Sequence, residues 1–481
     1  MNKDKLKFLC KVFDQVLINA STPEITANNY LHILNLDSES LEKYNTSKIE
    51  KLWLMVRFRL VAIIRILHSI FDGEHYCVRQ NNIKSDVLFV SHLTNSQQLL
   101  QEQDAYFGCL PNQLLEQGVS SSIVLMKHAK VSKQQVLNSW TNSKTPRFVL
   151  SPSLDFLSEI RIYFAQRKSK NKLQSILKNL QTDKIITKDI LLHQLSSKTI
   201  STIRVAKQVE NIAEQTGAKF IITTYEGHAW ERLVYYSVRK QNPNVKCFGY
   251  QHAAVFKHQH AAKRMLHKRY NPDVILTSGM VAKAILEQSW LKEGKVVCVG
   301  SPKHLNLISS SILHKNQSCL VVPEGIISEC LILFKLSLEY ARQHKSQKFI
   351  WRLHPLLSFD NLKDKSTIFD DLPDNIVLSE SDLDKDIQKC NSVLYRGSTA
   401  VVSAINLGLK PIYYQQSCGE LNIDPIYTYD EGKSIVRSQE ELGLALTQDI
   451  GIKAMRSLQN FAQSFYKPLE VKALLKELDL K

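Results

Sequence analysis

At 481 residues the chain is too long for one ordinary hydrophobic core, and two or three domains are expected. Its 44% hydrophobic and 22% charged residues are those of a globular protein and argue against extensive disorder. Lys and Arg total 62 against 46 Asp and Glu, and the resulting charge of +16 favours anionic partners without choosing among nucleotides, phosphorylated substrates, nucleic acid and a membrane surface.

Nine cysteines are scattered with no CxxC pair, a pattern expected of reduced thiols in a cytoplasmic chain. The first residues, MNKDKLKFLCKVFDQ, lack the apolar core and small-residue cleavage site of a signal peptide. No uncharged apolar run reaches the 18 or so residues that a transmembrane helix needs.

Residues 1–80 form a helical N-terminal region with short polar breaks such as NASTPEITANN and NLDSES. Within it, Leu52–Phe71 is strongly apolar but carries Arg57, Arg65 and His68 on one side of a helix and Arg59 nearly opposite. Two readings stand: a buried or half-buried packing helix, favoured because the stripe is imperfect, or peripheral membrane contact on the inner face of the cytoplasmic membrane.

From Asp86 the pattern changes. DVLFVSH (86–92), SSIVLMKH (121–128), RFVLSPS (147–153), KFIITTYE (219–226), VKCFGYQH (245–252), DVILTSG (273–279) and KVVCVGS (295–301) are strand-length runs, most followed by amphipathic helical stretches, with a longer helical insert at 160–215. A second series follows: SCLVVPEG (318–325), KFIWRLHP (348–355), NIVLSE (375–380), SVLYRG (392–397) and KPIYYQ (410–415). Such alternation predicts an α/β protein with mostly parallel, buried sheets. The expected lobes are 81–305 and 316–440, joined by the linker LNLISSSILHKNQ, with helices over 441–481.

Ligands of open parallel sheets bind beyond the carboxyl ends of the strands, where Glu226, His252, Glu324, His354, Glu380 and Ser398 lie. In the second series, Arg352-Leu353-His354-Pro355 closes one strand and Glu380 closes the next. Arg396-Gly397-Ser398-Thr399-Ala400 then opens a small-residue helix. A Gly turn with two hydroxyls at a helix N-terminus offers N–H and O–H donors to a phosphate. A nearby histidine can stabilise a leaving group, and a carboxylate one strand away can grip a ribose diol. Pro323-Glu324-Gly325 makes the first strand–helix turn of this lobe, where Glu324 either contacts a ligand or complements the helix dipole.

The His-Pro dipeptide, the strand-end Glu and the Ser-Thr pair resemble the CMP-binding set of GT-B bacterial sialyltransferases and Kdo transferases. The resemblance covers the second lobe well and the first loosely, and CDP-glycerol-dependent polymerases share similar marks. It implies two Rossmann-like lobes facing a cleft, with a C-terminal helix packing back. It also implies that His354 assists departure of CMP, Glu380 holds the ribose and Ser398 and Thr399 bind the phosphate, beside Arg352, Glu324, Gly325 and Gly397.

In the first lobe Glu226-Gly227-His228 resembles an acidic-acidic-Gly motif whose carboxylate acts as base, with Tyr225 in place of the second acid. The resemblance assigns the base to Glu226, for which a covalent nucleophile is the alternative role, and His228, Gln251 and His252 are the candidate acceptor or sugar contacts. Gln251-His252 is similar to a Gln-His-Gly motif, with Ala253 in place of the Gly. The stretch Lys257–Arg269 holds further histidines, but without metal-ligand spacing, and a solvated basic face or an acceptor surface is expected there.

The expected activity is therefore metal-independent transfer of an acidic ulosonic sugar (sialic, legionaminic, pseudaminic or Kdo type) from a CMP donor to a glycan or lipid-linked glycan acceptor. The alternatives are a CDP-polyol phosphotransferase of teichoic-acid type and a non-catalytic basic protein that binds membrane or nucleic acid. The aromatic–basic interleaving of nucleic-acid modules is absent, so no nucleic-acid partner is expected.

Overall fold

The computed structural model describes residues 3–20, 22–32, 48–70, 75–78, 83–140, 143–290, 294–303, 318–355, 357–418 and 420–479. Two compact units emerge. The first lobe comprises Asp4–Ala253, Gln259–Pro302 and Pro468–Lys481, and the second Lys303–Lys467 with Met1–Lys3 and Ala254–His258. The linker expected at 305–317 lies outside the described residues.

The first lobe is built on an eight-stranded sheet: β1 (His75–Val78), β2 (Val87–Leu93), β3 (Ser121–Lys127), β4 (Arg147–Leu150), β5 (Phe220–Thr224), β6 (Lys246–Gln251), β7 (Val274–Thr277) and β8 (Lys295–Cys298), in the order β1-β4-β3-β2-β5-β6-β7-β8. Strand β1 runs antiparallel to β4, and the other pairs are parallel. Nearly every side chain of β2, β3 and β4 is buried, because helices cover both faces of such a sheet. The order beyond β1 is that of a doubly wound sheet, which reverses direction between β2 and β5.

The second lobe has six parallel strands: β9 (Ser318–Pro323), β10 (Lys348–Trp351), β11 (Ile376–Leu378), β12 (Ser392–Arg396), β13 (Lys410–Tyr414) and β14 (Ser434–Val436). Their order, β11-β10-β9-β12-β13-β14, repeats the doubly wound pattern with its reversal between β9 and β12. The α/β expectation of two Rossmann-like lobes is met. The pattern missed β1 and β14, two short edge strands of four and three residues. Short edges bury little and carry little apolar signal.

The N-terminal helix Lys3–Ala20 is part of the first lobe. It buries Leu6, Leu9, Val12, Phe13, Val16 and Leu17, a 3–4 spacing that makes one apolar face. Asp14 on its other side takes an ion pair from Arg264 at 2.5 Å and a bond from His260 at 2.8 Å. Arg264 is 4% exposed, so the expected solvated basic face holds in part: Lys257, His267, Lys268 and Arg269 are exposed, while Arg264 is buried. Arg264 is an anchor held by the Asp14 carboxylate and the Leu31 carbonyl, and His260 bonds the same carboxylate.

The end of the chain divides between the lobes. Helix Gly451–Phe465 lies on helix Ala400–Asn406, with Gln459 Nε2 donating to the Asn406 carbonyl at 3.2 Å. The last helix, Val471–Glu477, packs back on the first lobe and places Leu474 and Leu478 in the core that holds Phe89, Phe107, Leu125 and Phe248. Gly300 (φ +83°) makes that return close, since a Cβ there would sit 1.8 Å from the Pro468 carbonyl oxygen. Truncating this anchor tests the arrangement. Leu474→Ala should destabilise the first lobe by about 2–5 kcal/mol through lost burial and the cavity left behind. Chemical denaturation followed by circular dichroism reads this directly, and an unchanged midpoint would mean that the C-terminal helix adds nothing to the core.

Candidate functional site

Both reversal points of the sheets carry polar side chains, and the two are described in turn. In the first lobe the reversal lies between the ends of β2 and β5. Strand β2 delivers His92, whose Nε2 lies 2.9 Å from Thr224 Oγ1 at the end of β5 and whose Nδ1 lies 3.1 Å from His128 Nε2 just past β3. Tyr106 and Trp230 flank the ring, with centroids at 5.2 and 5.5 Å. Burial holds His92 down to about 3, aided by the imidazoles of His128, His252 and His228. Burial lowers His128 as well. At neutral pH this pair is uncharged, and it relays hydrogen bonds rather than charge.

Directly after β5 the chain turns through Glu226-Gly227-His228 before helix Ala229–Gln241. Glu231, in the first turn of that helix and fully buried, folds back onto the turn. Its carboxylate accepts the backbone N–H groups of Glu226 at 3.0 Å, Gly227 at 2.8 Å and His228 at 2.9 Å. Burial pushes Glu231 up to about 7, while His228 and the Glu226 and Gly227 N–H donors pull the other way. Gly227 (φ +88°) is pressed against the Ala261–Ala262 backbone, and a Cβ there would lie 2.2 Å from the Ala261 carbonyl carbon. Only glycine fits. Arg232, also fully buried, holds that opposing backbone by donating to the Ala261 and Arg264 carbonyls at 3.0 and 2.8 Å.

The turn sets Glu226 against His228, Oε2 to Nε2 at 3.2 Å. The two side chains are 26% and 34% exposed, open enough to meet a ligand. Burial would raise the Glu226 carboxyl, but the His228 bond, with His252 and His92 close by, outweighs it and brings the group down to about 2. Burial also opposes the charge on His228, yet the bond to Glu226 and the nearby Glu231 prevail and raise it. The result is an ionised carboxylate beside an imidazole whose protonated form it favours. His252 stands with its ring edge-on to Tyr106, centroids 4.9 Å apart. Gln251 is 2% exposed, and its Oε1 makes no hydrogen bond among the described residues. Tyr225, which stands where the resemblance has an acid, is wholly buried, with its hydroxyl on the Ala262 carbonyl and its ring against Gly249. It packs the core.

In the second lobe the reversal lies between β9 and β12, and Glu324, Gly325 and Gly397 come together there with His354 from the end of β10. A Cβ on Gly325 would touch His354 Nδ1 at 3.1 Å. One on Gly397 (φ +72°) would lie 2.7 Å from the Glu324 carboxyl carbon. Each glycine thus lets a neighbouring side chain lie against the backbone. Burial lowers His354, with Lys303 adding to it, and the ring is a neutral donor at pH 7. Ser398 is buried with its Oγ accepting from Ala400 N at 3.4 Å, and Thr399 shares a hydrogen bond with Tyr466.

Arg352 and Glu380 take different parts. The Arg352 guanidinium is engaged by buried Asp386 at 2.8 Å and by the Ser381 carbonyl, so it shapes the loop after β11. Glu380 is exposed on that loop. Arg396, just before Gly397, is buried and held by Glu329, Glu420 and the Tyr414 carbonyl, and it braces the turn from behind.

The structure brings Glu226, His228 and His252 together in the first lobe, and Glu324, Gly325, His354 and Gly397 together in the second. Sequence reasoning passed over His92, His128 and Tyr106, and gave Glu231 no role. His92 and His128 were legible by the rule that found the others, for each ends a quoted strand run. Glu231 was not, because its role depends on a side chain folding back over its own helix N-terminus. Among the described residues no group of three or more His, Cys, Asp or Glu is placed to hold a metal ion.

A cavity of about 380 Å³ opens beside the first cluster. Its lining includes His128, Ser151, Lys198 and Arg204, and it is closed on one side by Phe58, Ala62 and Arg65 of helix Lys48–His68.

No protein-family profile and no curated protein matches this chain. Solved structures do. The glycotransferase of kitacinnamycin is similar at TM-score 0.48 and 10% identity over 83% of this chain and 100% of that one. MurG from Acinetobacter baumannii is similar at 0.43 and 9%, over 82% and 99%. UDP-GlcNAc 2-epimerase from Neisseria meningitidis, bound to UDP-GlcNAc, is similar at 0.44 and 11%, over 82% and 99%. These likenesses decide neither a donor nor an acceptor.

The histidine charges give a direct test. In an NMR titration His92 should stay neutral down to about pH 4, while His228 should remain protonated above the usual histidine midpoint near 6.5. Because the folded pKa of His228 is raised, its stabilising contribution is full below that midpoint and is lost as pH rises through the folded value. Glu226→Gln should bring the His228 midpoint down, since burial then acts with only Glu231 opposing it. A His228 midpoint that is the same in both proteins would show that the pair does not form.

Proposed function

We propose that the chain is a glycosyltransferase of the two-lobed GT-B type that moves an acidic ulosonic sugar from a CMP donor to a surface glycan or lipid-linked glycan. The observation that supports it most is the ionised Glu226 beside His228, on a turn locked by Glu231 at the sheet's reversal point. Such a turn meets what acceptor activation requires: a fixed proton acceptor that stays charged at neutral pH.

A carboxylate held near 2 is a weak base. It suffices where bond breaking to the leaving group runs ahead and the sugar develops oxocarbenium character, as in glycoside hydrolysis. The acceptor hydroxyl then loses its proton late, when it has become acidic. In this scheme Glu226 accepts the proton as the hydroxyl oxygen bonds to the anomeric carbon. His228 holds the carboxylate in place, and Gln251 and His252 contact the sugar or acceptor. In the second lobe His354 donates its N–H to the departing CMP phosphate, with the Gly397–Thr399 turn on the same phosphate. Glu380 grips the ribose. Neutral His354 suits an anion, because phosphate nearby raises its pKa and strengthens the bond it gives. No metal is assigned a part.

The test is binding followed by turnover. CMP at a hundred times its dissociation constant should stabilise the protein by about 2.7 kcal/mol. Glu226→Gln should keep CMP binding and lose nearly all transfer from a CMP-sugar, and His354→Ala should lower turnover about a hundredfold. Stabilisation by UDP and not by CMP would overturn the donor assignment, and full transfer in Glu226→Gln would falsify the base. A 2′-deoxy CMP analogue should bind less well than CMP to the wild type but equally well to Glu380→Ala.

A further inference from the structure

Helix Lys48–His68 and the turn after it present an apolar stripe to solvent. Trp53 is 60% exposed, and Val56, Leu60, Ile63, Ile64, Leu67 and Ile70 lie between 47% and 58%. At about 100° per residue these seven positions fall within an arc of roughly 120°. The opposite side faces the protein: Ala62 and Ser69 are buried, and Met55, Phe58 and Ile66 are half-buried. The helix is thus half-buried, as one reading of the sequence has it, but the larger apolar face is the outward one. Lone exposed apolar side chains are ordinary, but a row of seven on one helix is not.

Charge says what covers it. Arg57 and His68 border the stripe on one side and Arg59 on the other, with Arg57 over the Trp53 ring at 5.4 Å. Between Glu50 and Asp72 there is no acidic residue. A second copy packed on this face would set arginine against arginine, whereas an anionic lipid surface would meet the arginines with headgroups and take the apolar row below them. Among the described residues no helix is long and apolar enough to cross a membrane, so the helix would lie in the plane of the interface. We propose that this face docks the protein on a bilayer of anionic phospholipid. The proposal stands apart from the sugar chemistry, because none of these residues belongs to the assigned site.

The experiment uses the full chain and vesicles of phosphatidylcholine with or without phosphatidylglycerol, whose negative surface potential attracts basic segments. The protein should sediment with the anionic vesicles at least tenfold better than with neutral ones, and 0.5 M NaCl should weaken this. Brominated lipid should quench tryptophan emission in the wild type and much less in Trp53→Phe. Arg57→Glu with Arg59→Glu should abolish binding, and Leu60→Gln with Leu67→Gln should reduce it at least tenfold with the charges intact. All these side chains are exposed, so each variant should keep the wild-type circular dichroism spectrum. Equal binding to both vesicles, or binding that survives both double substitutions, would overturn the proposal. So would a dimer in light scattering that the Leu60→Gln, Leu67→Gln variant dissolves while vesicles bind neither protein.

Discussion

The grip of Glu231 on three consecutive backbone amides is the contact on which the first-lobe site rests. A carboxylate that accepts the N–H groups of Glu226, Gly227 and His228 neutralises donors that would otherwise be stranded at the start of a helix. It also forces the chain into a tight turn that only Gly227 can complete against the Ala261 backbone. Glu226 and His228 project from the two ends of that turn and meet each other. Their opposite shifts, one to about 2 and the other upward, are consequences of this geometry.

The second lobe uses the same device with different chemistry. There the bracing group is a cation: Arg396 is buried between Glu329 and Glu420. It ties the end of β12 to the helix that follows β9. The Gly397 turn then rests on Glu324 as the Gly227 turn rests on Ala261. In each lobe a buried ionisable side chain is hydrogen-bonded to the turn or its neighbours, and a glycine permits close approach. Such arrangements specify a local geometry more than they add net stability.

The reversal points of the two sheets decide which strand ends matter. The fourteen strands of the described residues offer many carboxyl ends, but only where neighbouring connections leave in opposite directions does a crevice open for a ligand. His92 and Glu226 lie at one such point, and Glu324 and Gly397 at the other. Arg352, at the end of β10 like His354, is instead consumed by Asp386, which explains why two residues of one tetrapeptide part company.

The sequence by itself determined the α/β class, twelve of the fourteen strands and the strand-end positions of Glu226, His354 and Glu380. These follow from local rules: alternating apolar runs, glycine turns and the polarity of parallel sheets. Tertiary structure decided the rest. Strand order is set by which helices cover which face, so the reversal points, and with them which of the strand-end residues lie together, are invisible in a linear pattern. The pairing of Asp14 with Arg264 joins residues 250 positions apart, and it makes Arg264 a buried anchor in a stretch whose other basic residues are partly or fully exposed. Periodicity likewise showed that Leu52–Phe71 was an amphipathic helix but not which side the protein would cover. That choice was made by the fit of small Ala62 and Ser69 against the first lobe, which left the larger apolar side chains facing out.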